Sequence, residues 1–120
     1  EDVTVPVSKI PDLIDRIAEI RERYDLTIVL VGHAGDGNLH PSVLTDRGNA
    51  EHLGRAERAV HEIFHAALEL GGALSGEHGI GLEKRKFLKH AMPPQAIELL
   101  RQIKSVFDPK GILNPGKIWE

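Results

Sequence analysis

The chain has 120 residues, a formal net charge of −3 and no cysteine. That length suits one domain over residues 1–120, and the weakly acidic balance argues against a general nucleic-acid binder, whose surface would be basic. Disulfides, thiol catalysis and cysteine zinc sites are excluded, and no apolar run approaches the roughly 20 residues that span a membrane as a helix. The expected setting is cytoplasmic, at most peripheral to a membrane. The chain opens on Glu1 rather than methionine and carries no signal-peptide pattern, so it reads as a piece of a longer protein.

Residues 2–7 alternate, with Val3, Val5 and Val7 against Asp2, Thr4 and Pro6, which predicts a short strand that Pro6 marks as an edge or an end. Ser8 is placed to cap a helix running to about Arg23, with Pro11 in its first turn, where a missing N–H costs little. Leu13, Ile14, Ile17 and Ile20 form its apolar stripe. Residues 27–31 are mostly β-branched and predict a buried strand. A second strand is expected over 39–44 and a loop over 46–49. A long helix over 50–70 presents Leu53, Ala56, Val60, Ile63, Phe64, Ala67 and Leu68 on one face. Gly71-Gly72 ends it. A glycine-rich loop at 75–81 leads to a short helix over 83–90. Pro93-Pro94 opens a last helix with Ile97, Leu100, Ile103 and Phe107 inside. The tail is turn-rich, with Ile112, Leu113, Ile118 and Trp119 as apolar anchors. Strand, helix, strand, strand, helix, then loop and helices suits an α+β fold, a ferredoxin-like sandwich with an antiparallel sheet and C-terminal helices.

The segment joining the two central strands reads Gly32-His33-Ala34-Gly35-Asp36-Gly37-Asn38-Leu39-His40. Asp36-Gly37 is a favoured two-residue hairpin turn, because both positions tolerate positive φ. That turn sets His33 opposite His40 on one face, with Cβ atoms about 4.5–5.5 Å apart. Two imidazoles so placed can grip one metal ion. Catalytic zinc sites often add a carboxylate and leave a position open. Asp36 would point away at the turn tip, so Glu77 is the better third ligand. It lies in Ser75-Gly76-Glu77-His78-Gly79-Ile80-Gly81, where the glycines permit close approach of a ligand or another backbone.

The bland reading stands beside this one: a histidine pair in a hairpin is more often structural or solvated than metal-binding. Glu77 and the glycine density bring the two readings level. A glycine-rich loop before a helix can also hold phosphate, but Glu77 would repel an anion, and neither the dinucleotide fingerprint nor the P-loop pattern is present. His61 and His65 sit among Glu57, Arg58 and Glu62 on a solvated helix face, and His52 and His90 read as surface residues at helix ends. Lys84, Arg85, Lys86 and Lys89 form a basic cluster, read as a solvated face.

These two motifs, followed by Asp108-Pro109-Lys110-Gly111-Ile112-Leu113-Asn114-Pro115-Gly116-Lys117, resemble in order and over essentially the whole chain the C-terminal domain of FAD-linked oxidases, the family of D-lactate dehydrogenase, glycolate oxidase and D-2-hydroxyglutarate dehydrogenase. The resemblance implies that His33, His40 and Glu77 hold a divalent metal, zinc first among them. It implies that His78 is the general base, that Asn38 contacts the substrate and that Asn114 lies near the flavin. The chemistry fits those residue types. A 2-hydroxy acid can chelate a metal that eases deprotonation of its hydroxyl, and a histidine suits the proton transfer. The flavin takes the hydride. The family's flavin-binding domain lies upstream, so this chain alone is expected to be inactive, with that domain and a small 2-hydroxy acid as its partners. Two competing readings remain: a zinc-dependent hydrolase on the same ligands, though without a helical H-E-x-x-H motif, and a non-catalytic partner-docking domain whose histidines are structural.

Overall fold

The structure, a computed structural model, describes residues 1–119. The fold is α+β, with a three-stranded antiparallel sheet and four α-helices. The chain divides into two compact units, Glu1–His78 and a second that begins at Gly79.

The first unit contains β1 (Val3–Thr4), a single 3-10 turn (Val7–Lys9), α1 (Ile10–Arg23), β2 (Ile28–His33), β3 (Asn38–Val43) and α2 (Ala50–Glu69). The sheet order is β1-β3-β2, with both outer strands antiparallel to β3. β1 and β2 are therefore parallel, with β3 between them, and α1 is the crossover of a split β-α-β unit. On the other side of β1, Thr4 makes one isolated bridge to Ala73. This is the position of the fourth strand in a ferredoxin-like sheet, reduced here to a single pair. Among the described residues, the outer edge of β2 has no strand partner.

β1 is shorter than its alternation predicts. The Val5 N–H still bonds the Gly37 carbonyl at 3.1 Å, and Pro6, on the side that faces Ala73, has no N–H to extend the Thr4–Ala73 pairing. The chain then turns into the 3-10 segment, and Val7 is exposed. That turn also displaces the expected cap. Ser8 lies inside it, and Lys9 precedes α1 without a side-chain cap on the helix backbone, its ammonium pairing instead with Asp12. α2 is capped as such helices are. The Asn49 side chain accepts from the His52 N–H. At the other end the Gly71 and Gly72 N–H groups donate to the Leu68 and Ala67 carbonyls, with Gly71 at φ +79°, a Schellman motif.

Alternation along the strands gives the sheet two unlike faces. One carries Val3, Val5, Ile28, Leu39 and Pro41, all buried. Leu13, Ile17 and Ile20 of α1 and Ala59, Ile63, Phe64 and Ala67 of α2 complete the core. Each large side chain so buried contributes about 1.5–3 kcal/mol. The opposite face carries Asp2, Thr4, Asn38, His40, Ser42, Val29, Val31 and His33. β2 is thus not buried on both sides, as its apolar run predicts: Val29 and Val31 are 48% and 59% exposed.

In the second unit a 3-10 turn (Arg85–Phe87) runs into α3 (Leu88–Ala91), and α4 spans Pro94–Phe107. Phe87, Leu88 and Lys84 are buried, so Lys84 does not belong to a solvated face. α4 starts at the predicted prolines but buries no residue; Leu100 and Ile103 are exposed and Phe107 is 80% exposed. The tail winds around Asp108. Its carboxylate accepts from the Ile112 and Leu113 N–H groups, each at 3.0 Å, and pairs with the Lys104 ammonium.

Candidate functional site

The hairpin that carries His33 and His40 is wider than a two-residue turn. A type I′ turn needs positive φ at both central residues. Gly37 has φ +80°, but Asp36 does not enter the left-handed region. The connection therefore opens to four residues, 34–37, and the His33 carbonyl accepts from the N–H groups of both Asp36 and Gly37. The Asp36 side chain closes the turn by accepting from the Asn38 N–H at 3.0 Å. His33 pairs with Asn38, and His40 with Val31. The register is two residues from the expected one. A shift of two keeps every side chain on its face, whereas a shift of one would reverse them all. His33 and His40 thus become diagonal neighbours on the open face, ring centroids 5.3 Å apart and nearly perpendicular.

The third group arrives from the end of α2. After Gly72 the chain passes beside β1, and residues 75–78 lie over the open face. Glu77 Oε1 stands 3.2 Å from His40 Nε2 and 3.7 Å from His33 Nε2. One ligating atom from each of His33, His40 and Glu77 falls within 4.8 Å of the others. Zinc–nitrogen and zinc–oxygen bonds are about 2.0–2.2 Å, so small side-chain rotations would bring the three atoms onto one ion. His78 is at the rim: its ring is stacked on His40 at 5.2 Å, and its Nε2 is 3.6 Å from Glu77 Oε1. His40 is half-buried, whereas His33, Glu77 and His78 are open to solvent.

Asn38 is buried on the same face. Its Oδ1, together with Thr4 Oγ1 and His40 Nδ1, has no hydrogen-bond partner among the described residues. Gly76 explains how the loop comes so close: a Cβ there would run into the Thr4 hydroxyl and the Asn38 amide. Asn114 belongs to the second unit. Its backbone is left-handed, φ +47°, and with Arg101, Lys104, Lys117 and Trp119 it lines a cavity of about 480 Å³. His52 accepts a hydrogen bond from the Asp46 N–H through Nδ1, and His65 is exposed on α2.

Asp2 is the residue that pattern reading missed. Its side chain is fully buried, and it accepts from the Ser75 hydroxyl (2.7 Å) and the N–H groups of Gly76 (2.6 Å), Glu77 (3.2 Å) and His78 (2.6 Å). Burial pushes its carboxyl up. The hydrogen bonds from Gly76, His78, Ser75 and Glu77 more than offset this and hold it well below the ordinary 3.8. Alternation puts Asp2 on the polar face of β1. Nothing local shows that a loop more than seventy residues away covers it.

Residues 1–118 match the family model "FAD linked oxidases, C-terminal domain". The chain is 45% identical over 119 residues to the glycolate oxidase subunit GlcD of Bacillus subtilis, covering 99% of this chain and 25% of that protein. It is 43% identical over 117 residues to a D-lactate dehydrogenase of Archaeoglobus fulgidus, covering 98% and 26%. It is 39% identical over 122 residues to a D-2-hydroxyglutarate dehydrogenase of Stutzerimonas stutzeri, covering 98% and 26%. The chain thus spans about a quarter of the length of these relatives.

Proposed function

The chain belongs to the family of FAD linked oxidase C-terminal domains, and from that premise we propose that it is the substrate- and metal-side part of a flavin-dependent 2-hydroxy-acid dehydrogenase. The relatives' names span glycolate, D-lactate and D-2-hydroxyglutarate, which makes the 2-hydroxy acid the shared substrate class. The observation that carries the reading is the convergence of His33, His40 and Glu77, three ligand side chains from separate segments, on one small volume.

FAD, bound by a flavin-binding domain of the same protein, would supply the hydride acceptor for oxidation at C2 of the substrate. His33, His40 and Glu77 would hold a divalent metal, zinc first among them, which would supply Lewis acidity toward the substrate hydroxyl. His78 takes the hydroxyl proton. Its ring is exposed and stacked on His40, so it borders the ligand cluster while facing solvent. Asn38, buried with an unused amide oxygen, orients the substrate. Asn114, in the tail cavity of its own unit, would lie near the flavin in the intact enzyme. No side chain in this chain can accept a hydride, so the chain alone turns over no substrate.

The test is zinc titration of the dialysed chain, by calorimetry, against the double variant His40→Ala, Glu77→Ala. One equivalent bound by the parent and lost in the double variant is the expected result. Equal binding by both would remove these residues as ligands. Zinc-dependent ester or peptide hydrolysis that disappears in His33→Ala would replace the dehydrogenase reading with a hydrolase.

A further inference from the structure

We propose that Asp2 is the positioning residue of the site: its buried carboxylate sets the backbone of residues 75–78 and thereby places Glu77 and His78 against His33 and His40. The inference rests on the metal-site reading above. Four donors from four consecutive residues converge on one side chain. Three of them are backbone N–H groups, of Gly76, Glu77 and His78, and these fix the direction of successive peptide planes. Glu77 and His78 have N–H groups turned inward to Asp2, while their side chains are left on the solvent side.

Three further observations support the assignment. Among the described residues the loop has no strand pairing beyond the single Thr4–Ala73 bridge, and without Asp2 the N–H groups of Gly76, Glu77 and His78 lose the acceptor they share. Gly76 lets the backbone sit directly on Thr4 and Asn38, which brings the N–H groups within reach of a side chain as short as aspartate. Asp2 Oδ2 also lies 3.8 Å from His78 Nδ1, so the carboxylate borders the His78 ring as well as its backbone. Asp2 touches no reacting atom; it acts through Glu77 and His78. Asparagine at this position keeps the shape but turns one acceptor into a donor facing N–H groups.

The experiment measures zinc affinity and native-state amide exchange for the parent chain, Asp2→Asn and Ser75→Ala. Outer-shell partners of metal ligands typically contribute 10–100-fold to affinity. We expect Asp2→Asn, at temperatures where it is folded, to bind zinc 10–100-fold more weakly and to lose protection at residues 76–78 while the Leu13 and Ile63 amides keep theirs. Ser75→Ala, which removes one donor of the four, is expected to weaken zinc by roughly 2- to 5-fold, a small fraction of that effect. A merely structural role would lower the melting temperature but leave the affinity of the folded protein unchanged. Parent affinity together with parent protection at 76–78 in a folded Asp2→Asn overturns the proposal. Should Asp2→Asn not fold, Ser75→Ala decides, and unaltered affinity overturns it. If the parent chain binds no zinc, the metal reading fails by itself, and exchange at 76–78 still decides whether Asp2 sets the loop.

Discussion

Gly37 and Asp2 hold the two loops of the site by opposite means. Gly37 works by having no side chain. At φ +80° an L-residue is strained, and a Cβ would collide with the Val5 carbonyl that sits against it. Gly37→Ala is therefore expected to cost at least about 2 kcal/mol, read from the urea midpoint, and to loosen the hairpin that carries His33 and His40. Asp2 works by charge and acceptors. Its carboxyl is held below the ordinary 3.8 in the folded chain, so it contributes stability that is present above that value and lost as pH falls toward the native one. Unfolding free energy measured from pH 6 to pH 2 should fall on acidification, and Asp2→Asn should flatten that slope. An unchanged slope would mean that other carboxylates carry the acid sensitivity.

The two kinds of amphipathic helix differ at the scale of the element. α1 buries Leu13, Ile17 and Ile20 but leaves Ile14 of its stripe exposed; α2 buries Ala56, Ile63, Phe64 and Ala67, with Leu53, Val60 and Leu68 half-buried; and Leu13 is fully buried. Leu13→Ala is expected to cost about 2–5 kcal/mol. α4 has an equally regular stripe and buries none of it. Phe107→Ala should change stability by no more than about 0.5 kcal/mol, as surface substitutions do. Denaturation of both variants, followed by circular dichroism, tests the contrast; a loss above about 2 kcal/mol for Phe107→Ala would show that its face is covered. The hairpin belongs to this scale too. Its alternation placed the histidines on one face whichever of two turns formed, because the alternatives differ by an even number of residues.

As a whole, the chain leaves much apolar surface in water for its size. Val29 and Val31 flank the site on the open sheet face, and Val106, Phe107 and Ile112 are each more than two-thirds exposed in the second unit. Monomeric proteins rarely expose large contiguous apolar patches, and the chain spans about a quarter of its relatives. Among the described residues no helix is long and apolar enough to cross a membrane. The whole-molecule prediction is that the purified chain reduces no dye acceptor when given glycolate, D-lactate or D-2-hydroxyglutarate. Turnover by flavin-free protein would remove the flavin from the mechanism.

Periodicity and punctuation determined the element order, the start of α2 at residue 50, its stop at Gly71-Gly72, and the α+β class, because these depend on neighbours within a few residues. Residue chemistry likewise singled out His33, His40 and Glu77 as candidate ligands, with the structural reading of the histidine pair level beside it. What lay beyond the sequence were the quantities set by distant segments. The register of the hairpin followed from the φ that Asp36 would not adopt. The exposure of α4 and of the Val29–Val31 face depends on what packs there, and a stripe of apolar residues carries no record of its partner. The burial of Asp2 under residues 75–78 joins the two ends of the first unit, and only the tertiary structure brings those ends together.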